Sequence, residues 1–96
     1  MSGQLAKSEV ASRLEDVKGW VLKTDSSGSA IEKAFKFHDF REAMEFVNKV
    51  AVVAEKVDHH PDIAINYNKV NLRLSTHSEG GLTAQDFDLA RDIDFI

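Results

Sequence analysis

The 96-residue chain contains no cysteine, which excludes disulfides and thiolate metal ligands alike. Proline occurs once, at Pro61, and Trp20 and Tyr67 are the lone tryptophan and tyrosine. No hydrophobic run approaches a bilayer span. The longest strictly aliphatic stretch is Val50-Ala51-Val52-Val53-Ala54, against the roughly 20 residues that a transmembrane helix needs. The segment Met1 to Lys7 has no apolar core of the kind found in secretory leaders, which predicts a cytoplasmic location and no membrane association. Positive charge is also short: 12 Lys and Arg stand against 16 Asp and Glu, for a net charge of −4. The basic residues are dispersed, whereas a nucleic-acid surface needs a basic stripe that displaces counterions from phosphates. Direct nucleic-acid binding is not expected.

What remains is the composition of an ordinary globular protein, 43% hydrophobic and 29% charged. The length suits one domain over residues 1–96, with no repeat or linker to divide it. Ser8 is placed to cap a first helix carrying Val10, Leu14 and Val17 at helical spacing. Gly19 to Lys23 reads as a strand with Trp20 and Leu22 on one face, and Asp25 to Gly28 as a turn. Alternation of Ile31, Lys33, Phe35 and Phe37 predicts a second strand. From Asp39 to Val57, Phe40, Ala43, Met44, Val47, Val50, Ala51 and Ala54 form a helical stripe, and Asp39 with Glu42 makes a capping-box-like pair. Pro61 disfavours helical geometry at His60, so the helix ends before it. Ile63, Ile65 and Tyr67, then Val70, Leu72 and Leu74, predict a hairpin turning at Asn68-Lys69. Thr83 to Asp86 begins a last helix, with Leu82 and Phe87 as its hydrophobic staple. The expected fold is therefore α+β, in the order α-β-β-α-β-β-α, a four-stranded antiparallel sheet with three helices on one face.

Three of the four histidines, His59, His60 and His77, fall in one region. Imidazole is the side chain whose ordinary pKa lies near neutrality, so such a cluster points to proton transfer. The full pattern is Glu55, three residues, His59-His60-Pro61, five residues, Tyr67, nine residues, His77, eight residues, Asp86. It resembles the signature of the pterin-4a-carbinolamine dehydratases with every element filled, and the resemblance extends over nearly the whole chain. It implies the same α+β fold and one reaction: loss of water from a 4a-hydroxytetrahydropterin to give the quinonoid dihydropterin, in tetrahydropterin recycling. The leaving hydroxyl must be protonated and the N5 proton removed, which needs an acid and a base but no metal or organic cofactor. By resemblance His59 and His77 are the acid and base, and His60 mainly holds the pterin, with the division of roles among the three left open. Glu55 and Asp86 are candidates to orient imidazoles. Asp58, Pro61, Ser75 and Thr76 flank the cluster as weaker candidates for substrate contact.

Blander explanations stand beside these. Asp86 is the third helical position after Thr83, where capping alone accounts for it. Glu55 fits a solvated helix charge, Tyr67 a packing residue beneath the hairpin, and Pro61 a helix stop. His38, outside the motif, is an exposed polar residue. A zinc site is the rival use of Glu55, His59, His60 and His77, but adjacent side chains diverge, so His59 and His60 do not easily share one ion, and the i,i+4 histidine spacing is absent. Finally, Phe46, Val53 and Val57 widen the apolar arc of the 39–57 helix beyond the ~100° of a surface helix. That width suggests a contact surface: a homo-oligomer, dimer or tetramer, or else a non-catalytic or moonlighting interaction protein of the same fold.

Overall fold

The order expected from hydrophobic periodicity is the order found in a computed structural model, which describes residues 3–96. It runs α1 (Lys7–Leu14), β1 (Val21–Asp25), β2 (Gly28–Lys36), α2 (Phe40–Val57), β3 (Asp62–Asn66), β4 (Lys69–Leu74), a 3-10 turn at His77–Glu79, and α3 (Ala84–Asp94). Met1 and Ser2, part of the segment read for a leader, lie outside the described residues. The strands form one sheet in the order β1-β2-β4-β3, antiparallel throughout, with the three helices on one face. No helix among the described residues is long and apolar enough to cross a membrane.

The central strand β4 sets the core. Val70, Leu72 and Leu74 alternate with polar residues and are fully buried, each contributing about 1.5–3 kcal/mol of apolar burial. Against them pack Ile31 of β2, Val50 of α2 and Phe87, Leu89 and Ile93 of α3. Trp20 is buried just ahead of β1, where its indole N–H donates to Asp94 of α3 at 3.1 Å. That contact ties the start of the sheet to the end of the chain.

Several boundaries differ from expectation. Ala6, not Ser8, occupies the cap position of α1 and supplies no side-chain bond; Val17, expected on that helix, is buried beyond its end. β1 begins two residues late, and Leu22 is largely exposed. β2 begins early because Asp25 pairs with Gly28. The turn proper is Ser26-Ser27, held by the Asp25 carboxylate, which accepts from Ser27 N at 2.8 Å. The β3–β4 turn is Tyr67-Asn68, since Asn66 pairs with Lys69. Asn68 is drawn into that turn by its amide, which donates to Phe37 O at 2.9 Å. Tyr67 takes φ 53° there and is 65% exposed, so it does not pack beneath the hairpin.

In α2 half of the expected capping box forms: Asp39 Oδ1 accepts from Glu42 N at 2.9 Å, which lowers the Asp39 carboxyl below its ordinary value of 3.8, while the Glu42 carboxylate accepts from His38 N at 2.9 Å and not from the Asp39 backbone. The buried stripe, however, centres on Ala43, Phe46, Val50 and Ala54. Phe46 stacks against Phe35 and Phe37, with centroids 4.7 and 4.9 Å away, so it belongs to the core and not to a lateral contact surface. Phe40, assigned to the stripe, is instead half exposed.

Candidate functional site

The first imidazole is positioned by the way α2 ends. Asp58 adopts the left-handed conformation (φ 53°, ψ 45°) just past the helix. Asp58 N then donates to Glu55 O and His59 N to Ala54 O at 3.1 Å, a Schellman closure. Asp58 thus does backbone work at an exposed position, and Pro61 keeps the chain from resuming a helix before β3. His59 turns inward and His60 outward, as adjacent side chains in an extended segment do.

Inward lies Asp86, whose side chain is completely buried on α3. His59 Nε2 and Asp86 Oδ1 are 2.6 Å apart. Asp86 Oδ2 accepts from Thr83 N at 3.0 Å, closing the capping box of α3, and from the Thr76 hydroxyl at 2.8 Å. A second hydroxyl, Thr83 Oγ1, lies 2.8 Å from Thr76 Oγ1. Both threonines are buried, and no buried side-chain polar atom among the described residues lacks a partner. This complete set matters, because an unpaired buried carboxylate is strongly unfavourable. A carboxylate only accepts, so His59 Nε2 carries the proton and Nδ1 is left as the nitrogen available for chemistry.

Outward, His60 Nε2 meets Glu55 Oε2. Both side chains are more than half exposed, so this pair contributes little to stability. The two carboxylates that sequence alone left unassigned therefore serve different rings: Asp86 serves His59, and Glu55 serves His60.

His77 opens the 3-10 turn that follows β4. Its loop is pinned at the base, where Thr76 N donates to Gly81 O at 2.9 Å and Glu79 N to Thr76 O at 3.0 Å. The His77 imidazole is exposed and makes no hydrogen bond among the described residues. Ser75 Oγ donates to Ser29 O at 2.9 Å, fastening the end of β4 to β2. Both hydroxyls considered for substrate contact, Ser75 and Thr76, are thus engaged within the protein. Pro61 is partly exposed beside His60.

His59 also lines a cleft of about 130 Å³ between the end of α2 and α3, with Val57, Gln85, Asp88, Leu89 and Asp92. A larger hollow of about 490 Å³ lies under α1; none of the histidines lines it. Sequence reasoning missed the second hydroxyl, Thr83, which was read only as a cap, and the part played by Gly28. A Cβ on Gly28 would stand 2.7 Å from Gly80 O, so the His77 loop approaches the β1–β2 turn only because that residue has no side chain. The signal that was present is the spacing of Thr76, Thr83 and Asp86, three polar residues flanking the apolar Leu82 that must share partners once buried.

Comparison with known proteins identifies the family and the fold. Residues 3–96 match the family model of pterin 4 alpha carbinolamine dehydratase. A protein of Sulfurisphaera tokodaii provisionally named pterin-4-alpha-carbinolamine dehydratase is 48% identical, with 95% of this chain and 94% of that one covered. A provisionally named counterpart from Sulfolobus acidocaldarius is 44% identical over 97% of this chain and 98% of its own. Among solved structures, a transcriptional coactivator/pterin dehydratase from Brucella melitensis superposes with a TM-score of 0.88 at 39% identity, covering 96% of each chain. A pterin dehydratase-like RuBisCO assembly factor of the alpha-carboxysome shares the fold, with a TM-score of 0.68 at 20% identity over 80% of this chain and 87% of that one.

Proposed function

The chain belongs to the pterin-4-alpha-carbinolamine dehydratase family, and so to the hydro-lyases, and from that premise we propose that it dehydrates a 4a-hydroxytetrahydropterin by histidine acid–base catalysis. In this reaction the C4a–O bond breaks as its oxygen is protonated, the N5 proton is taken by a base, and C4a=N5 forms in the quinonoid dihydropterin. Atoms and charge balance with water as the second product, so one acid and one base suffice.

The observation that carries the proposal is the buried Asp86 carboxylate, which accepts from His59 through one oxygen and from Thr76, the residue before His77, through the other. His59 and His77 are the pair assigned to proton transfer. His60, exposed and steadied by Glu55, is assigned to hold the pterin ring, with Asp58 and Pro61 beside it. Neither role calls for a metal or organic cofactor. We place the activity in tetrahydropterin recycling, in a single cytoplasmic domain over residues 1–96.

Self-association is part of the same proposal. The edge strand β3 is exposed along its whole length, with Ile63 and Ile65 more than a third exposed, and an uncovered apolar edge is a template for a second copy. On α2, Phe40 and Val52 are at least half exposed, which also favours a contact role beside the enzymatic one. The deciding experiment follows the decay of a freshly generated 4a-hydroxytetrahydropterin. Acceleration over buffer supports the dehydratase, and equal rates leave an interaction protein.

A further inference from the structure

Among the described residues, the two side chains that hydrogen-bond the Asp86 carboxylate are the His59 ring and the Thr76 hydroxyl, and Thr83 adds its backbone N–H. Thr76 is 6% exposed, and its hydroxyl lies 2.8 Å from both Asp86 Oδ2 and Thr83 Oγ1. A hydroxyl has one proton to give, and a carboxylate only accepts. The Thr76 proton therefore goes to Asp86, and Thr76 in turn accepts from the Thr83 hydroxyl. The direction of the whole chain follows: Thr83 donates to Thr76, Thr76 to Asp86 Oδ2, and His59 to Asp86 Oδ1.

The backbone of the same residue closes the base of the loop that carries His77. Thr76 pairs with Gly81 across the base of the His77 loop, through Thr76 N to Gly81 O at 2.9 Å and Gly81 N to Thr76 O at 3.3 Å. On its far side the loop rests against Gly28, where no Cβ fits, and the preceding Ser75 is tied to Ser29. The loop is thus fixed on two sides, and His77 follows directly from the fixed point.

We propose that Thr76 is a positioning residue that joins the two proton-transfer imidazoles: its hydroxyl aims Asp86, and through it His59, while its backbone anchors His77. The proposal rests on the assignment of His59 and His77 above. Dehydration requires the two rings to stand at a set separation on either side of one substrate bond, and misplacement of reacting groups by about 1 Å costs up to about 100-fold. A single residue bonded towards both rings removes one source of that misplacement. In this proposal the Thr76 hydroxyl, bonded within the protein to Asp86 and Thr83, acts by positioning rather than by contact with the pterin.

The test compares Thr76→Val, which keeps the shape and removes the hydroxyl, with Thr76→Ser, which keeps the hydroxyl. Long-range nitrogen–proton NMR reads the His59 ring directly, and steady-state kinetics separates kcat from KM. Thr76→Ser is expected to keep the Nε2-protonated form of His59 and most of the turnover. Thr76→Val is expected to shift and broaden the His59 ring signals, because the carboxylate that orients the ring loses one of its own donors, and to lower kcat by roughly 10- to 100-fold with KM little changed. If Thr76→Val does not fold, Thr76→Cys, a far weaker donor of similar size, is read in the same way. An unchanged His59 spectrum and unchanged kcat in these variants overturn the proposal, as does a raised KM at constant kcat, which marks a substrate contact. Should the wild type not dehydrate the pterin at all, the assigned reaction fails, while the ring spectrum still decides whether Thr76 positions His59.

Discussion

His59 and Asp86 share one short hydrogen bond, 2.6 Å from Nε2 to Oδ1, and the other oxygen of that carboxylate closes the first turn of α3 through Thr83 N. Capping and orientation of an imidazole are therefore not competing explanations for Asp86. They are the two ends of a single buried side chain. In the proposed reaction, stability and turnover are therefore joined at this residue.

Asp86→Asn tests that junction. An amide replaces one accepting oxygen by a donating NH2, so either the cap or the His59 contact meets a donor where it needs an acceptor. Stability is expected to fall by about 1–3 kcal/mol, with a drop in melting temperature of roughly 4–8 °C for each kcal/mol. Turnover should fall at least about tenfold with it, because the His59 tautomer is no longer fixed. A loss in only one of the two properties contradicts the shared role.

Core and contact surface separate in a second pair of variants. Phe46 packs on Phe35 and Phe37, so Phe46→Ala should cost about 3–5 kcal/mol in denaturant unfolding. Ile65, exposed on β3, should tolerate Ile65→Lys within about 0.5 kcal/mol while light scattering records a smaller particle. A wild type that already scatters as a 10.7 kDa monomer at micromolar concentration argues against self-association altogether.

The acid limb of the stability curve gives a third. Asp39 lies below its ordinary value of 3.8, chiefly through the Glu42 backbone N–H. A depressed carboxyl stabilises above its unfolded value and loses that contribution as pH falls through the folded one. Asp39→Asn keeps a competent cap that does not titrate. Wild type should therefore lose ground to Asp39→Asn as the pH drops from about 5 to below 3.8, in parallel thermal melts. A stability difference that stays constant over that range contradicts the assignment.

Chelation gives the fourth. The two neighbouring imidazoles are drawn apart by different carboxylates, His59 to Asp86 and His60 to Glu55, which is poor geometry for a shared ion. Dialysis against a strong chelator should leave dehydration unchanged. Activity that vanishes with the chelator and returns with zinc alone overturns the metal-free scheme.

Element order, the β3–β4 hairpin and the helix that ends before Pro61 were legible in the sequence, because periodicity and turn chemistry are local signals, whereas the β2–β4 pairing at the centre of the sheet joins distant strands and was not. The centre of the α2 stripe was not. With apolar residues on nearly half the circumference, the side that meets the sheet is decided by Phe35 and Phe37 on β2, which no helical pattern contains. The histidines and carboxylates were legible as a set through their spacing, whereas their partners were not. That Asp86 meets His59 and Glu55 meets His60 depends on the left-handed residue Asp58, a position more often filled by glycine or asparagine. The Thr76–Thr83–Asp86 node was hidden for a related reason, since hydroxyls beside a histidine motif read as ligands for a substrate until burial commits them elsewhere.

The most direct measurement is the rate of decay of a chemically generated 4a-hydroxytetrahydropterin with wild type, His59→Ala, His77→Ala and the double variant, each shown by circular dichroism to be folded. Wild type is predicted to exceed buffer clearly, and each single variant to lose roughly 10²–10⁴-fold, the range of general acid–base catalysis. His60→Ala should mainly raise the substrate concentration required. A double variant as fast as wild type, or a wild type no faster than buffer, contradicts proton transfer by His59 and His77.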